Sequence, residues 1–160
     1  MTDQSHVIRE VREEDWSRLK PLWQSFYEHQ KEHGMLLALP PDAYEQWVSS
    51  LQPVLGRFGF LFVAEESHTL FGFLAGRIRS QPDYFGGQPT GFLSDLFIAD
   101  SHRRGGVARE LLSASARWFD ERAITRVELQ IVINNNHARE FFQRQGWREE
   151  LVQLVWQADK

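Results

Sequence analysis

The run Leu93-Ser94-Asp95-Leu96-Phe97-Ile98-Ala99-Asp100-Ser101-His102-Arg103-Arg104-Gly105-Gly106-Val107-Ala108 constrains this chain more than any other stretch. It reads as a strand, a short turn, and a glycine-bearing loop that opens a helix running to about Arg122. A helix start leaves backbone N–H groups unpaired and carries the positive end of the helix dipole, and glycines there let an anion approach the backbone. Taken alone, the loop supports two readings equally: an anion cradle, or a plain strand-to-helix turn beside an arginine pair. No Gly-Lys-Ser/Thr follows it, so it is not a P-loop, and the G-x-G-x-x-G spacing of a dinucleotide site is absent.

The flanking segments predict an ordered alternation of elements. His6 to Val11 reads as a short strand. Asp15 to His33 reads as a helix, with Trp16, Leu19, Leu22, Trp23, Phe26 and Tyr27 at spacings of three and four. Pro21 inside it predicts a kink or a late start, and Gly34 the stop. After an apolar connector from Leu36 to Pro41, a second helix carries Tyr44, Trp47, Val48 and Leu51 and ends by Pro53 to Gly56. Phe60 to Glu66 and Thr69 to Ile78 predict an antiparallel hairpin, and Pro82 to Pro89 a loop before the strand Thr90 to Ile98. Arg126 to Ile133 (strand), Asn134 to Gln145 (helix, closed by Gly146) and Leu151 to Trp156 (strand) complete the order β-α-α-β-β-β-α-β-α-β. That pattern predicts a mixed sheet within a single domain spanning residues 1–160.

Composition removes whole classes of function. The 18 Lys and Arg among 22 Asp and Glu give a net charge of −4, without the basic excess of a protein held to nucleic acid through phosphates. No cysteine is present, which excludes disulfides, thiolate metal sites and a cysteine nucleophile. The polar start Met1-Thr2-Asp3-Gln4-Ser5 has no signal-peptide core behind it, and no apolar run reaches the ~18 residues of a membrane span. The expectation is a cytoplasmic protein that engages neither membrane nor nucleic acid.

Two motifs carry a family resemblance. Arg103, Gly106 and Ala108 match the Arg/Gln-x-x-Gly-x-Gly/Ala loop of the GCN5-related N-acetyltransferases. A second element, Asn135-x-x-Ala138-x-x-Phe141-Phe142-x-x-x-Gly146-Trp147, lies at the family's distance from it. The chain therefore resembles that family along almost its whole length, and the nearest motif likeness is to diamine and polyamine acetyltransferases. The resemblance implies an α/β (mixed α+β) fold with a central six- to seven-stranded sheet flanked by four helices. It implies acetyl transfer from acetyl-CoA, without a metal, to a primary amine of a small molecule, polyamine- or diamine-like or amino-acid-like, by direct attack in a ternary complex. A protein amine as acceptor, or a non-catalytic acyl-CoA-binding module, is the alternative. A homodimer is a further expectation, since Leu151 to Trp156 could pair across an interface.

Carried over residue by residue, the resemblance implies that Leu96, Phe97 and Ile98 bond the pantetheine arm through their backbone. Arg103, Arg104, Gly105, Gly106, Val107 and Ala108 would hold the pyrophosphate, and Asn135 would reach the cofactor. The backbone N–H of Leu96 would steady the oxyanion. Asp95, a carboxylate in an apolar strand, is the candidate base, with an ordered structural carboxylate as the equal alternative. Tyr27, Glu28, Tyr84 and Ser94 are candidate substrate contacts, with Glu32 and His33 as weaker ones. Two departures stand out: Ser94 occupies a position where the diamine-type enzymes carry Glu, and Phe142 one where many relatives carry the tyrosine taken as general acid. His29-Gln30-Lys31-Glu32-His33 also matches H-x-x-E-H, an inverted zinc-peptidase pattern, but a solvated helix end explains it better because no downstream ligand helix is recognisable.

Overall fold

The computed structural model describes residues 5–158; the start of the chain, Met1 to Gln4, lies outside them. Five strands form one sheet in the order β1 (Val7–Glu10), β2 (Gly59–Glu66), β3 (Thr69–Ser80), β4 (Pro89–Ile98) and β5 (Val127–Leu129). The first three pairings are antiparallel and β4 pairs with β5 in parallel. Four helices flank the sheet: α1 (Asp15–Glu32), α2 (Ala43–Leu51), α3 (Val107–Asp120) and α4 (Asn136–Arg144).

Strands β2 and β3 are apolar nearly throughout because helices cover both faces of the sheet. Phe60, Phe62, Leu74 and Leu93 pack against Leu111, Trp118 and Phe119 of α3. Leu61, Val63 and Phe73 face the other way, onto Leu19, Trp23 and Phe26 of α1 and Tyr44 and Leu51 of α2. Two-residue alternation along each strand thus feeds two cores, one on each face.

A buried ion network anchors α1 to the sheet. Asp15 is fully buried and takes Arg9 at 2.6 and 3.0 Å, Arg18 at 2.9 Å and the Arg12 backbone N–H at 2.7 Å. Both arginines also reach Glu65 on β2, at 2.9 and 3.0 Å. The Arg9 guanidinium holds the Asp15 carboxyl below its usual range, against the opposing effect of burial. Nothing in the spacing of the residues singles Asp15 out; its role appears only when β1 and β2 pair.

Three expectations need correction. The sheet has five strands among the described residues, not six or seven, because Leu151 to Trp156 forms no strand. Leu151 and Trp156 are 89% and 86% exposed, and the adjoining β5 is only three residues long, so it offers little edge for another strand to pair with. The strand expected from Arg126 to Ile133 accordingly shrinks to Val127–Leu129. Helix α1 starts at Asp15 and continues through Pro21, so the late start does not occur.

Candidate active site

The cleft begins where β4 and β5 part. Their ladder runs from Gly91↔Val127 to Leu93↔Leu129 and stops. At that point the β3–β4 register slips: Ala75 pairs with Asp95 but Gly76 pairs with Leu93, leaving Ser94 as the extra residue of a bulge. A bulge bends its strand and increases the local twist. Beyond it β4 continues along β3 while the chain after Leu129 diverges, opening a cleft of about 590 Å³.

Backbone polarity inside the cleft follows from the ladder. The Ala99 N–H donates to the Phe71 carbonyl at 2.7 Å. Alternation along an antiparallel pair then turns Phe97 and Asp95 toward β3, and Leu96 and Ile98 toward the gap. The Ile98 carbonyl is already taken, by Arg103 Nε at 2.9 Å. The peptide groups of Leu96 and the N–H of Ile98 are left facing the opening.

The far end of the cleft is the start of α3. Gly106, at φ 82°, is the residue before the helix, and no side chain caps the first turn. A left-handed φ there favours glycine, and a Cβ would point into open space. Arg103 is a brace rather than a free cation, since it also pairs with Asp100 at 2.9 Å and lies over the Phe97 ring. Arg104, Val107 and Ala108 line the cleft; Gly105 does not. Asn135 lines it too, but its Oδ1 accepts the Ala138 N–H at 3.1 Å and so caps α4.

The end of α1 crosses above the gap. The Asn134 N–H donates to the His33 carbonyl at 3.1 Å, tying α1 to the chain between β5 and α4. Gly34, at φ 110°, makes this approach possible: a Cβ there would come within 3.1 Å of Asn134 and 3.2 Å of Ile133. His29 and His33 stack with ring centroids 4.1 Å apart, and both line the cleft. Burial, then the neighbouring His33, lowers the proton affinity of His29. Among the described residues no group of three His, Asp or Glu side chains is arranged to hold a metal, so the H-x-x-E-H pair lacks a third ligand. No described helix is long and apolar enough to cross a membrane.

Asp95 lies at the bulge with only 3% of its surface exposed. Its carboxylate accepts the Tyr27 hydroxyl at 3.0 Å and the Trp47 indole N–H at 3.2 Å. Burial outweighs these bonds and raises its proton affinity, and the same burial plus the adjacent carboxylate raises that of Tyr27. Tyr27 thus reaches the site by supporting Asp95, not by lining the cleft. Ser94 lines the wall, its Oγ 3.4 Å from the Ala75 carbonyl. Phe142 is buried against the cleft with its ring edge-on to Trp147, and no hydroxyl stands there.

Two expected residues are not brought in. Tyr84 sits in the Asp83–Phe85 turn at the β3–β4 tip, 83% exposed, with its ring tilted against that of Phe85, because the hairpin carries it past the end of the bulge. Glu28 lies on the solvent side of α1, between the positions of Tyr27 and His29 that face inward. Conversely, Gln30, Arg109, His137 and Arg144 line the cleft and were not read from the sequence. The available signal was spacing: His137, Phe141 and Arg144 stand at i, i+4 and i+7 on one face of α4.

Comparison with known proteins places this architecture. A model of the "Acetyltransferase (GNAT) family" matches residues 16–147. The protein "GCN5-related N-acetyltransferase 7, chloroplastic" of Arabidopsis thaliana is 28% identical over 67 residues, which span 42% of this chain and 24% of that protein. An aminoglycoside N-acetyltransferase solved with CoA superposes with a TM-score of 0.77 at 19% identity, covering 96% of this chain and 95% of its own. A ribosomal-protein-alanine N-acetyltransferase from Brucella melitensis biovar Abortus gives 0.71 at 18% identity, covering 96% and 100%. At these identities the two structural likenesses are of fold.

Proposed function

The chain belongs to the acetyltransferase (GNAT) family, and from that premise we propose an acetyl-CoA-dependent N-acetyltransferase, acting as one cytoplasmic domain on the primary amine of a small molecule. The observation that carries the reading is the gap after Leu93, which exposes the peptide groups of Leu96 and leads to the uncapped start of α3. These features fit the cosubstrate: free backbone groups suit the amides of a pantetheine arm, and unpaired N–H groups with open space at Gly106 suit a pyrophosphate. Acetyl-CoA supplies the activated acyl group.

The chain's own residues answer the remaining demands of the reaction. An alkyl amine, with a pKa near ~10, is overwhelmingly protonated at neutral pH. Asp95 takes the amine's proton; Tyr27 and Trp47 occupy two of its acceptor sites and hold its orientation, leaving others for the substrate. The Leu96 N–H donates to negative charge as it develops on the acyl oxygen, a contribution of about 10²–10³ in rate for one such donor. Ser94, on the wall beside both, contacts the acceptor or a water. The amine attacks the thioester carbonyl directly and CoA departs as its thiolate; the absence of cysteine, which removes a thioester acyl-enzyme, supports this route.

Of diamine-like and amino-acid-like acceptors, the latter has the better support. Arg77 acts electrostatically on Asp95, and Arg79 lies 3.5 Å over the Phe92 ring; neither forms an ion pair among the described residues. Arg77, the cation that acts on the base, repels a polyamine and attracts an amine that also carries a carboxylate. Phe142 favours one second reading, a module that binds acyl-CoA without turnover, because no proton donor stands at that position. The exposed Leu151, Val152, Leu154 and Trp156 support pairing of two copies through this segment, which sedimentation would reveal. The test of function is thiol release from acetyl-CoA against amino acids, polyamines, aminoglycosides and peptides. Release with amino-acid-like amines supports the proposal; CoA binding without release from any amine supports the non-catalytic module.

A further inference from the structure

The charge lining the cleft exceeds what one pyrophosphate requires. Asp95 is the only carboxylate among the described lining residues, and it is buried, whereas Arg103, Arg104, Arg109 and Arg144 all line the same space. In a chain of net charge −4 this is a local reversal of sign, costly unless a ligand offsets it. Arg103 is committed to Asp100 and the Ile98 carbonyl. The α3 amides with Arg104 suffice for a diester pyrophosphate of two negative charges. Arg109 and Arg144 remain, with no carboxylate partner among the described residues.

These two cations flank the cleft from opposite helices, Arg109 in the first turn of α3 and Arg144 in the last turn of α4. Helical side chains lean toward the helix N-terminus, so Arg144 leans back along α4 over Phe141, which lines the same cleft. We propose that Arg109 and Arg144 form a second phosphate subsite, which takes the ribose 3′-phosphate of CoA. The inference rests on the reading of this cleft as the acetyl-CoA site. It makes the enzyme selective for CoA over its 3′-dephospho form. A phosphomonoester nearing two charges at neutral pH matches two guanidinium groups that the pyrophosphate leaves unused.

Calorimetry with CoA and 3′-dephospho-CoA tests this on the wild-type protein and on R109Q/R144Q. Both arginines are exposed and glutamine is a good helix former, so the double variant folds. The wild-type should bind CoA roughly tenfold or more tightly than the dephospho form, the range expected for charge-assisted bonds to one phosphate. In the double variant the ratio should fall toward one while dephospho-CoA affinity holds. Equal affinities in the wild-type, or an unchanged ratio in R109Q/R144Q, would overturn the subsite while leaving the cleft assignment intact. Failure of the wild-type to bind either compound would instead sink the cleft assignment, and the subsite with it.

Discussion

Replacing Asp95 separates its two possible roles, because the structure dictates different outcomes for Asn and Ala. Both substitutions remove the buried charge. Asn can still serve both partners: its Oδ1 accepts the Trp47 N–H, and its Nδ2 donates to the Tyr27 oxygen. Ala leaves two half-buried donors without their acceptor, at about 1–3 kcal/mol each. The Ala variant should therefore lie about 2–6 kcal/mol below the Asn variant in urea unfolding, or about 5–20 °C lower in Tm for a chain of this size. The pH dependence has a definite sign. Burial raises the folded pKa of Asp95 above its unfolded value near ~3.9, so the folded state binds the proton more tightly. Wild-type stability from this group is then lost as pH rises from the unfolded pKa toward the folded one. Asn lacks that loss, so its stability relative to wild-type should climb across the window, by at most about 1.4 kcal/mol per pH unit. In activity, Asp95→Asn should lower kcat by about 10²-fold or more and remove the acid limb of the pH–rate profile. A flat stability difference from pH 4 to 8 would refute the burial argument. Undiminished activity in the Asn variant would return Asp95 to an ordering role for Tyr27 and Trp47.

Three further outcomes are expected. Asp15→Ala strands Arg9 and Arg18 and should cost about 3–5 kcal/mol in denaturant unfolding; because its folded pKa is depressed, the wild-type contribution is present above ~pH 4 and fades as pH falls through the folded value, so the two proteins should converge in acid. Gly106→Glu places bulk and negative charge in the open space before α3 and should abolish CoA binding by calorimetry, whereas Gly106→Ala pays only the strain of a left-handed residue, about 1–2 kcal/mol of folding stability; unchanged affinity in the Glu variant would remove the loop from the binding site. Phe142→Tyr restores a hydroxyl on the cleft wall and should raise kcat several-fold with little change in KM, if proton delivery to the leaving thiolate limits turnover; an unaltered kcat would show that the thiolate leaves unaided.

The parts of the site that were legible share one property: their role is written in local backbone chemistry. Arg103 to Ala108 reads as a glycine loop opening a helix because a left-handed residue and an unpaired helix start need only neighbours in sequence. Asn135 is likewise legible as a helix entry, and its cap bond to Ala138 spans three residues. The misread residues depend on distant partners. Tyr84 has the right chemistry but sits at the wrong end of a hairpin, and Tyr27 acts from α1, 68 positions from the carboxylate it supports. Leu151 to Trp156 has a strand's composition, yet strand formation requires a neighbouring edge, and β5 is too short to provide one.

Sequence alone determined the order of helices and strands through α4, the apolar faces that feed the two cores, and the glycine loop that opens α3. Each follows from a period or a turn that spans a few residues. Tertiary structure decided where the cleft opens, since the slip at Ser94 and the end of the β4–β5 ladder at Leu93 are properties of paired strands. It also decided the charge of that cleft. Arginines scattered along a chain of net charge −4 collect on one surface only when α3 and α4 are brought to face each other.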